Sequence, residues 1–257
     1  MTLFYVYCIL EDGLEAELLP SDIKLISAGN LHAAIEEVED SEFGETALQA
    51  NLQNLEWTTN KIRRHQQVID TLFLRTNTIP LTFGIIYKNQ DNLRAFLGAN
   101  EDQFQKVFSK IRDSREFGVK VFYDKSKSFS HLTRINQDLA SLKAQMEEGS
   151  SRAKFLLKKK LEKLEMEMLK RFLNEVRSKL HADLQKISKE GLVKENLNRT
   201  ETGKQEEMCL NTVWLVAQSS ITAFSDTVTE IRERFHETGI LIEMNGPWAP
   251  YNFVKDE

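Results

Sequence analysis

CLNTVWLVAQ, residues 209–218, is apolar on both faces, the pattern of a strand covered on two sides. Ile221, Phe224, Val228, Ile231 and Phe235 follow at helical spacing, Gly239 stands where a helix C-terminus favours glycine, and ILIEM (240–244) reads as a short last strand. This strand–helix–strand run follows a long segment of helical pattern, so the chain mixes sheet and helix and is not a bundle.

Working back from there, residues 126–200 show no strand pattern. Ile135, Leu139, Leu142 and Met146 form one helical stripe, EEGSS (147–151) reads as a break, and a second stripe runs from Leu157 through Leu161, Leu164, Met168, Phe172, Val176, Leu180 and Leu184 to Ile187. Spacing of mostly four residues drifts from a strict heptad, which favours packing within the chain over a long coiled coil. At the other end, LFYVYCIL (3–10) and IKLIS (23–27) read as strands, with Gly13 and Pro20 marking the turn between them. Leu31, Ala34, Ile35 and Val38 predict a short helix. Leu48, Leu52, Leu55, Ile62, Ile69 and Phe73 predict one long helix. IPLTFGIIY (79–87) alternates as a single strand, Phe104, Val107, Phe108 and Ile111 mark a helix, and EFGVKVFYD (116–124) is a strand. The expected order over this first part is β-β-α-α-β-α-β. The fold class is α+β, with an N-terminal α+β domain over 1–124 and a C-terminal domain over 125–257. The latter comprises a helical part (125–200), the strand–helix–strand part (207–244) and an aromatic tail (245–257).

Of 257 residues, 41% are hydrophobic and 28% charged, the balance of a soluble folded protein. Net charge is −5, but residues 125–199 carry 18 basic and 10 acidic side chains, so a basic insert lies between two acidic parts. Nucleic acid and membrane are not expected partners. The two cysteines, Cys8 and Cys209, sit in apolar runs and read as reduced core residues. With no signal-like segment, a cytoplasmic location is expected.

Motifs that carry chemistry are missing: no phosphate loop, CxxC, HExxH or G-x-S-x-G occurs, and neither cofactor nor metal is expected. His65 lies on or beside the apolar stripe of the long helix and reads as a structural histidine, the alternative being a buried general base. Asp124 ends a strand and opens DKSKS, which reads as a helix cap, with a catalytic carboxylate as the alternative. The basic run 154–171 offers a nucleic-acid adaptor as a third reading, against which Glu162, Glu165 and Glu167 stand as the marks of a solvated mixed-charge helix.

NGPWAPYNF (245–253) holds two of four prolines and one of three tryptophans, at a chain end where polar, tolerant sequence is usual. Pro247 and Pro250 stiffen the backbone, and Gly246 permits a sharp exit from strand 240–244. Trp248, Pro250, Tyr251 and Phe253 are the candidate latch and interaction residues. Docking on the chain's own domain is the favoured reading, presentation of aromatic anchors to a partner the alternative, and a docked segment exposed at its edge would serve both.

FYVYCIL, LEWTTNKIRRHQQVIDTL (55–72), IPLTFGIIY, EFGVKVFYD and the closing GPWAPYNF together resemble, in order and spacing, the gas vesicle protein F/L family from end to end. Trp57, His65, Pro80, Phe83, Gly84, Gly118, Gly246 and Pro247 match its motifs as structural positions. The chain departs at Cys8, where the family commonly has glycine, at Thr58, where an aliphatic residue is usual, and at Ala249, which replaces a proline. The tail and the single basic insert favour the F branch. The resemblance implies two α+β parts related to a ferredoxin-like arrangement, with mixed or antiparallel sheets and a long helical insert. It also implies no catalytic role, and a minor structural or assembly component of gas vesicles, the shells that give microbes buoyancy. The implied location is the gas vesicle, and the implied partners are the small hydrophobic shell-forming protein and other accessory gas vesicle proteins.

Overall fold

The computed structural model describes residues 1–11, 14–148 and 150–254; Gly13, Gly149 and the last three residues of the tail lie outside them. The chain forms two compact units. The first comprises Met1–Glu116 with Pro247–Glu257, the second Phe117–Gly246. The division falls eight residues before the boundary expected after Asp124, and the tail joins the first unit.

In the first unit, β1 (Thr2–Leu10) is the buried strand expected from its aromatic and β-branched residues. It pairs antiparallel with β3 (Leu31–Glu39), which pairs antiparallel with β2 (Lys24–Ala28). The stretch 31–39 is therefore a strand and not the expected helix. It lies between β2 and β1, and Ala33, Ala34 and Ile35 are all buried, so both of its faces are covered. Consecutive buried positions bring apolar residues to spacings of three and four, which imitate a helical stripe. The register shifts between Val6 and Cys8, so Tyr7 sits at an irregularity. Its hydroxyl donates to Glu36 Oε2 at 2.5 Å.

After a short α1 (Asp40–Phe43), the expected long helix is two pieces, α2 (Glu45–Asn51) and α3 (Leu55–Phe73). The break before α3 is made by Asn54, whose side chain accepts from Trp57 N and caps the new helix. The face that α3 buries is His65, Val68, Ile69, Leu72 and Phe73, whereas Leu55 and Ile62 face solvent. The expected strand 79–87 is likewise split into β4 (Thr78–Pro80) and β5 (Ile86–Tyr87), both paired with β1. Gly84 turns the chain between them at φ +93°, a conformation that side-chain-bearing residues rarely adopt. Two helices follow, α4 (Gln90–Ala99), which the sequence did not signal, and α5 (Glu101–Ile111).

The second unit is built on β6 (Ser114–Tyr123), β7 (Glu190–Val193), β8 (Glu207–Ala217) and β9 (Ile240–Trp248). β7 is a strand where none was expected; at four residues it is too short to show a period. Three helices separate it from β6: α6 (Lys125–Ile135), α7 (Gln137–Glu148) and the 35-residue α8 (Ser151–Gln185). Ile135 does not join the buried stripe. It ends α6, and Asn136 begins the next helix by accepting from Leu139 N. A short turn, α9 (Arg199–Thr202), precedes β8, and α10 (Ile221–Phe235) leads to β9. Gly239 ends the helical run in the left-handed region, at φ +84°. β9 continues through Gly246 and Pro247 to Trp248, so the sharp exit expected at Gly246 does not occur. It is an edge strand, where a missing N–H is tolerated.

The sheet order in the second unit is β7-β8-β6-β9, that of a β-α-β-β-α-β ferredoxin-like unit with three helices in its first crossover. The first unit repeats the order as β2-β3-β1-β4, with β5 also on β1. Its first crossover carries a single 3₁₀ turn (Ala16–Leu18) among the described residues. The protein is α+β with antiparallel sheets. Leu132, Leu139, Leu161, Leu169, Val176, Leu180 and Leu184 join the strands and α10 in one core in the second unit.

Candidate interaction surface

In the first unit, β1 and α3 position the family-motif side chains around Tyr5. The Tyr5 hydroxyl lies 2.8 Å from His65 Nδ1 and accepts from Gly84 N at 3.2 Å, while His65 Nε2 lies 3.0 Å from the Leu81 carbonyl oxygen. A carbonyl only accepts, so Nε2 carries the proton and Nδ1 receives the one from Tyr5. The neutral ring is thereby satisfied at both nitrogens, and it ties the turn around Gly84 to the helix. Phe83 packs on both Tyr5 and His65, with ring centroids 5.9 Å apart in each case. Trp57 donates to Glu42 Oε1 at 2.7 Å and packs on Phe43. Pro80 pairs with Cys8, and Gly118 is buried in β6.

Burial pushes the His65 imidazole below its ordinary value, the Leu81 carbonyl pulling partly the other way. A proton that binds the unfolded chain more readily than the folded one favours unfolding. This contribution to stability is therefore complete above the unfolded value near 6.5 and is lost as pH falls from there towards the depressed folded value. Within that window the loss is about 1.4 kcal/mol per pH unit. Urea titrations of the wild type and His65→Gln between pH 7.5 and 5, all within the range about 5–8 where histidine titrates, check this. The difference between the two curves should change with the stated sign, and a constant difference would show that His65 is not buried neutral.

The tail docks on the same unit. Ala249 and Pro250 are buried, and Ala249 and Tyr251 join the core that β1 and α3 build. Tyr251 donates to Gln66 Oε1 at 3.1 Å, and burial pushes its phenol up. Asn252 donates twice to the buried Glu116 carboxylate, from its backbone N at 2.9 Å and from Nδ2 at 2.6 Å. Such charge-assisted bonds are stronger than neutral ones. Phe253 is 1% exposed and lies under Lys110 Nζ, 5.7 Å from the ring centre. Gly246 takes φ +120° and, like Pro247, is exposed; Trp248 keeps 40% exposure. Three of the four latch candidates are thus taken up by docking, and Trp248 remains at the edge.

Glu116, Gln66 and Asn252 were not singled out by the sequence reading. The one signal for Glu116 is a carboxylate opening EFGVKVFYD, a strand apolar apart from Lys120 and the closing Asp124. Also unforeseen is that the N-terminal part of the α3 stripe is left uncovered, with Leu55 81% and Ile62 49% exposed, two turns apart on one side. Helical spacing continues that face to Gln66, where Tyr251 docks.

The family described as gas vesicle synthesis protein GvpL/GvpF matches residues 3–255. The chain belongs to the GvpL/GvpF family. Gas vesicle protein L of Streptomyces sp. (strain CB03234) is 25% identical over 244 residues, covering 90% of this chain and 82% of that protein. Gas vesicle protein F of Dolichospermum flosaquae is 25% identical over 179 residues, 69% of each. Both names thus recur among relatives of this GvpL/GvpF chain. The fold is that of the crystal structure of GvpF from Anabaena sp. PCC7120, with a TM-score of 0.72 at 19% identity over all of both chains. GvpF from Microcystis aeruginosa gives 0.65 at 15% identity, over 98% of this chain and 99% of that one. Membership gives the chain a structural or assembly role in gas vesicles.

For the enzymatic alternative, His65 belongs to the first unit and Asp124 to the second. Asp124 accepts from Lys127 N at 3.0 Å and so caps α6. Among the described residues no helix is long and apolar enough to cross a membrane.

Proposed function

We propose that this GvpL/GvpF chain serves gas vesicle assembly by binding the small, hydrophobic shell-forming protein, with the exposed N-terminal part of the α3 apolar stripe as its contact. The observation that carries the reading is the pair Leu55 and Ile62, exposed on the N-terminal part of the same stripe whose C-terminal part, Ile69 and Phe73, fills the core; Leu52, 43% exposed, precedes them. Large apolar side chains left in water at helical spacing suit a partner that is itself apolar and must be covered until it polymerises. Trp248 is a second anchor at the edge of the docked tail. Other accessory gas vesicle proteins are the next partners by family.

The test is co-expression of the shell-forming protein with affinity-tagged wild type, Leu55→Asp/Ile62→Asp and a truncation after Met244, with circular dichroism of each. The double variant changes exposed positions only, so it should keep its spectrum and lose most of the captured shell protein. Undiminished capture by a folded double variant would remove α3 from the interface, and no capture by the wild type would remove the shell protein as partner. The truncation is expected to lose structure, because the tail is part of the first unit's core.

A further inference from the structure

Another surface, on α8, is independent of that reading. Phe155, Lys159, Glu162, Met166, Leu169, Lys170, Leu173 and Arg177 recur at helical spacing along one side of this helix, over about 33 Å at 1.5 Å per residue. Leu161, Leu169, Leu173, Val176, Leu180 and Leu184 of the same helix are buried in the second unit's core, so this side is open to water only as far as Met166 in its apolar positions. At its C-terminal half lies a groove of about 380 Å³, floored by the buried Leu169 and Leu173, walled by Tyr123 and rimmed by Met166, Glu167, Lys170 and Arg177. Tyr123 is held there by its hydroxyl, which donates to Glu207 Oε2 at 2.5 Å. Towards the N-terminus, Phe155 is 59% exposed under Lys159 Nζ, 4.8 Å from the ring centre, and Met166 is 49% exposed. A helix side facing water normally carries polar residues; this one exposes Phe155 and Met166 and leads to an apolar groove.

Charge identifies the occupant. Lys159, Lys163, Lys170 and Arg177 border the apolar row, against Glu162 and Glu167. We propose that this side of α8 is a docking groove for an amphipathic helix of a protein partner, whose apolar residues enter between Met166 and Leu173 and whose flanking carboxylates meet the four cations. A defined apolar groove approached along one helix by exposed Phe155 and Met166 fits a helix laid along it. A lipid surface calls for a broader apolar face, and a nucleic acid strand calls for free aromatic platforms, whereas Phe155 lies under a lysine.

The probe is a fluorescein-labelled synthetic helix of about 18 residues, with leucines at i, i+3, i+4 and i+7 and glutamates on either side, titrated with the full chain and followed by anisotropy. Binding is expected, with affinity about tenfold lower for Met166→Asp and for Lys163→Glu/Lys170→Glu, and similarly lower when salt is raised from about 0.1 M to 0.5 M. A control peptide with every glutamate changed to lysine is expected not to bind. The substituted side chains lie on the free side, and circular dichroism checks that the variants remain folded. Equal binding of the two peptides, or none of either, overturns the proposal. So does displacement of the peptide by phosphatidylserine vesicles or by a DNA duplex. Concentration-dependent self-association of the wild type that Met166→Asp abolishes would overturn it too, by making a second copy the occupant.

Discussion

Phe253→Ala is expected to destabilise the first unit by about 3–5 kcal/mol, the range for truncating a fully buried phenylalanine. Only four residues follow Phe253, and such positions ordinarily tolerate change. Here the ring is 1% exposed, and the two residues before it are tied down, Tyr251 to Gln66 and Asn252 to the Glu116 carboxylate. Loss of the ring leaves a cavity and loosens the Asn252 bonds, so that a buried carboxylate loses partners, a cost that adds to the cavity. Trp248→Ala is the control. The larger residue is 40% exposed and should cost about 1 kcal/mol. Urea denaturation of the two variants decides the matter: if the tryptophan variant is the more damaged, the tail is not held as described.

The second large effect is expected at a strand pair in the second unit. Trp214 on β8 has no exposed surface; its Nε1 donates to Thr212 Oγ1 at 3.0 Å, which donates on to the Val119 carbonyl at 2.8 Å. On the paired strand, Gly191 stands directly opposite, and a methyl group built on it would overlap the six-membered ring of Trp214. Trp214→Ala should cost about 3–5 kcal/mol. Gly191→Ala, which adds volume against a ring with nowhere to go, should cost about 1–3 kcal/mol. The double variant should be more stable than the sum of the two losses implies, by at least about 0.5 kcal/mol, because the added methyl then fills part of the space the indole leaves. Thermal or urea unfolding of the four chains measures that coupling. Strict additivity would mean that the indole and Gly191 are not in contact.

Sequence reasoning succeeded where one period dominated a long segment. β1, β8, α10 and the long C-terminal stripe of α8 are each amphipathic or uniformly apolar over enough residues for the hydrophobic effect to name the element. It failed at Leu31–Glu39, where burial on both faces of a strand between two others imitated a helix. It failed again at residues 48–73, where one capping side chain, Asn54, cut a continuous apolar pattern in two. In 79–87 a single glycine with positive φ overrode perfect alternation, and β7 is too short to show a period at all.

Local pattern was therefore enough for the α+β class, the basic insert, the Asp124 cap and the stiffness of the tail, since those depend on residues near one another in the chain. It was not enough to seat the tail. Tyr251 meets Gln66 across 185 positions and Asn252 meets Glu116 across 136, and no periodicity reports a partner at such separation. The same holds for the outward apolar positions of α3 and α8, which a helical pattern cannot tell from core positions. Which leucine is covered and which is left in water depends on what the rest of the chain packs against each face, and only the folded structure settles that.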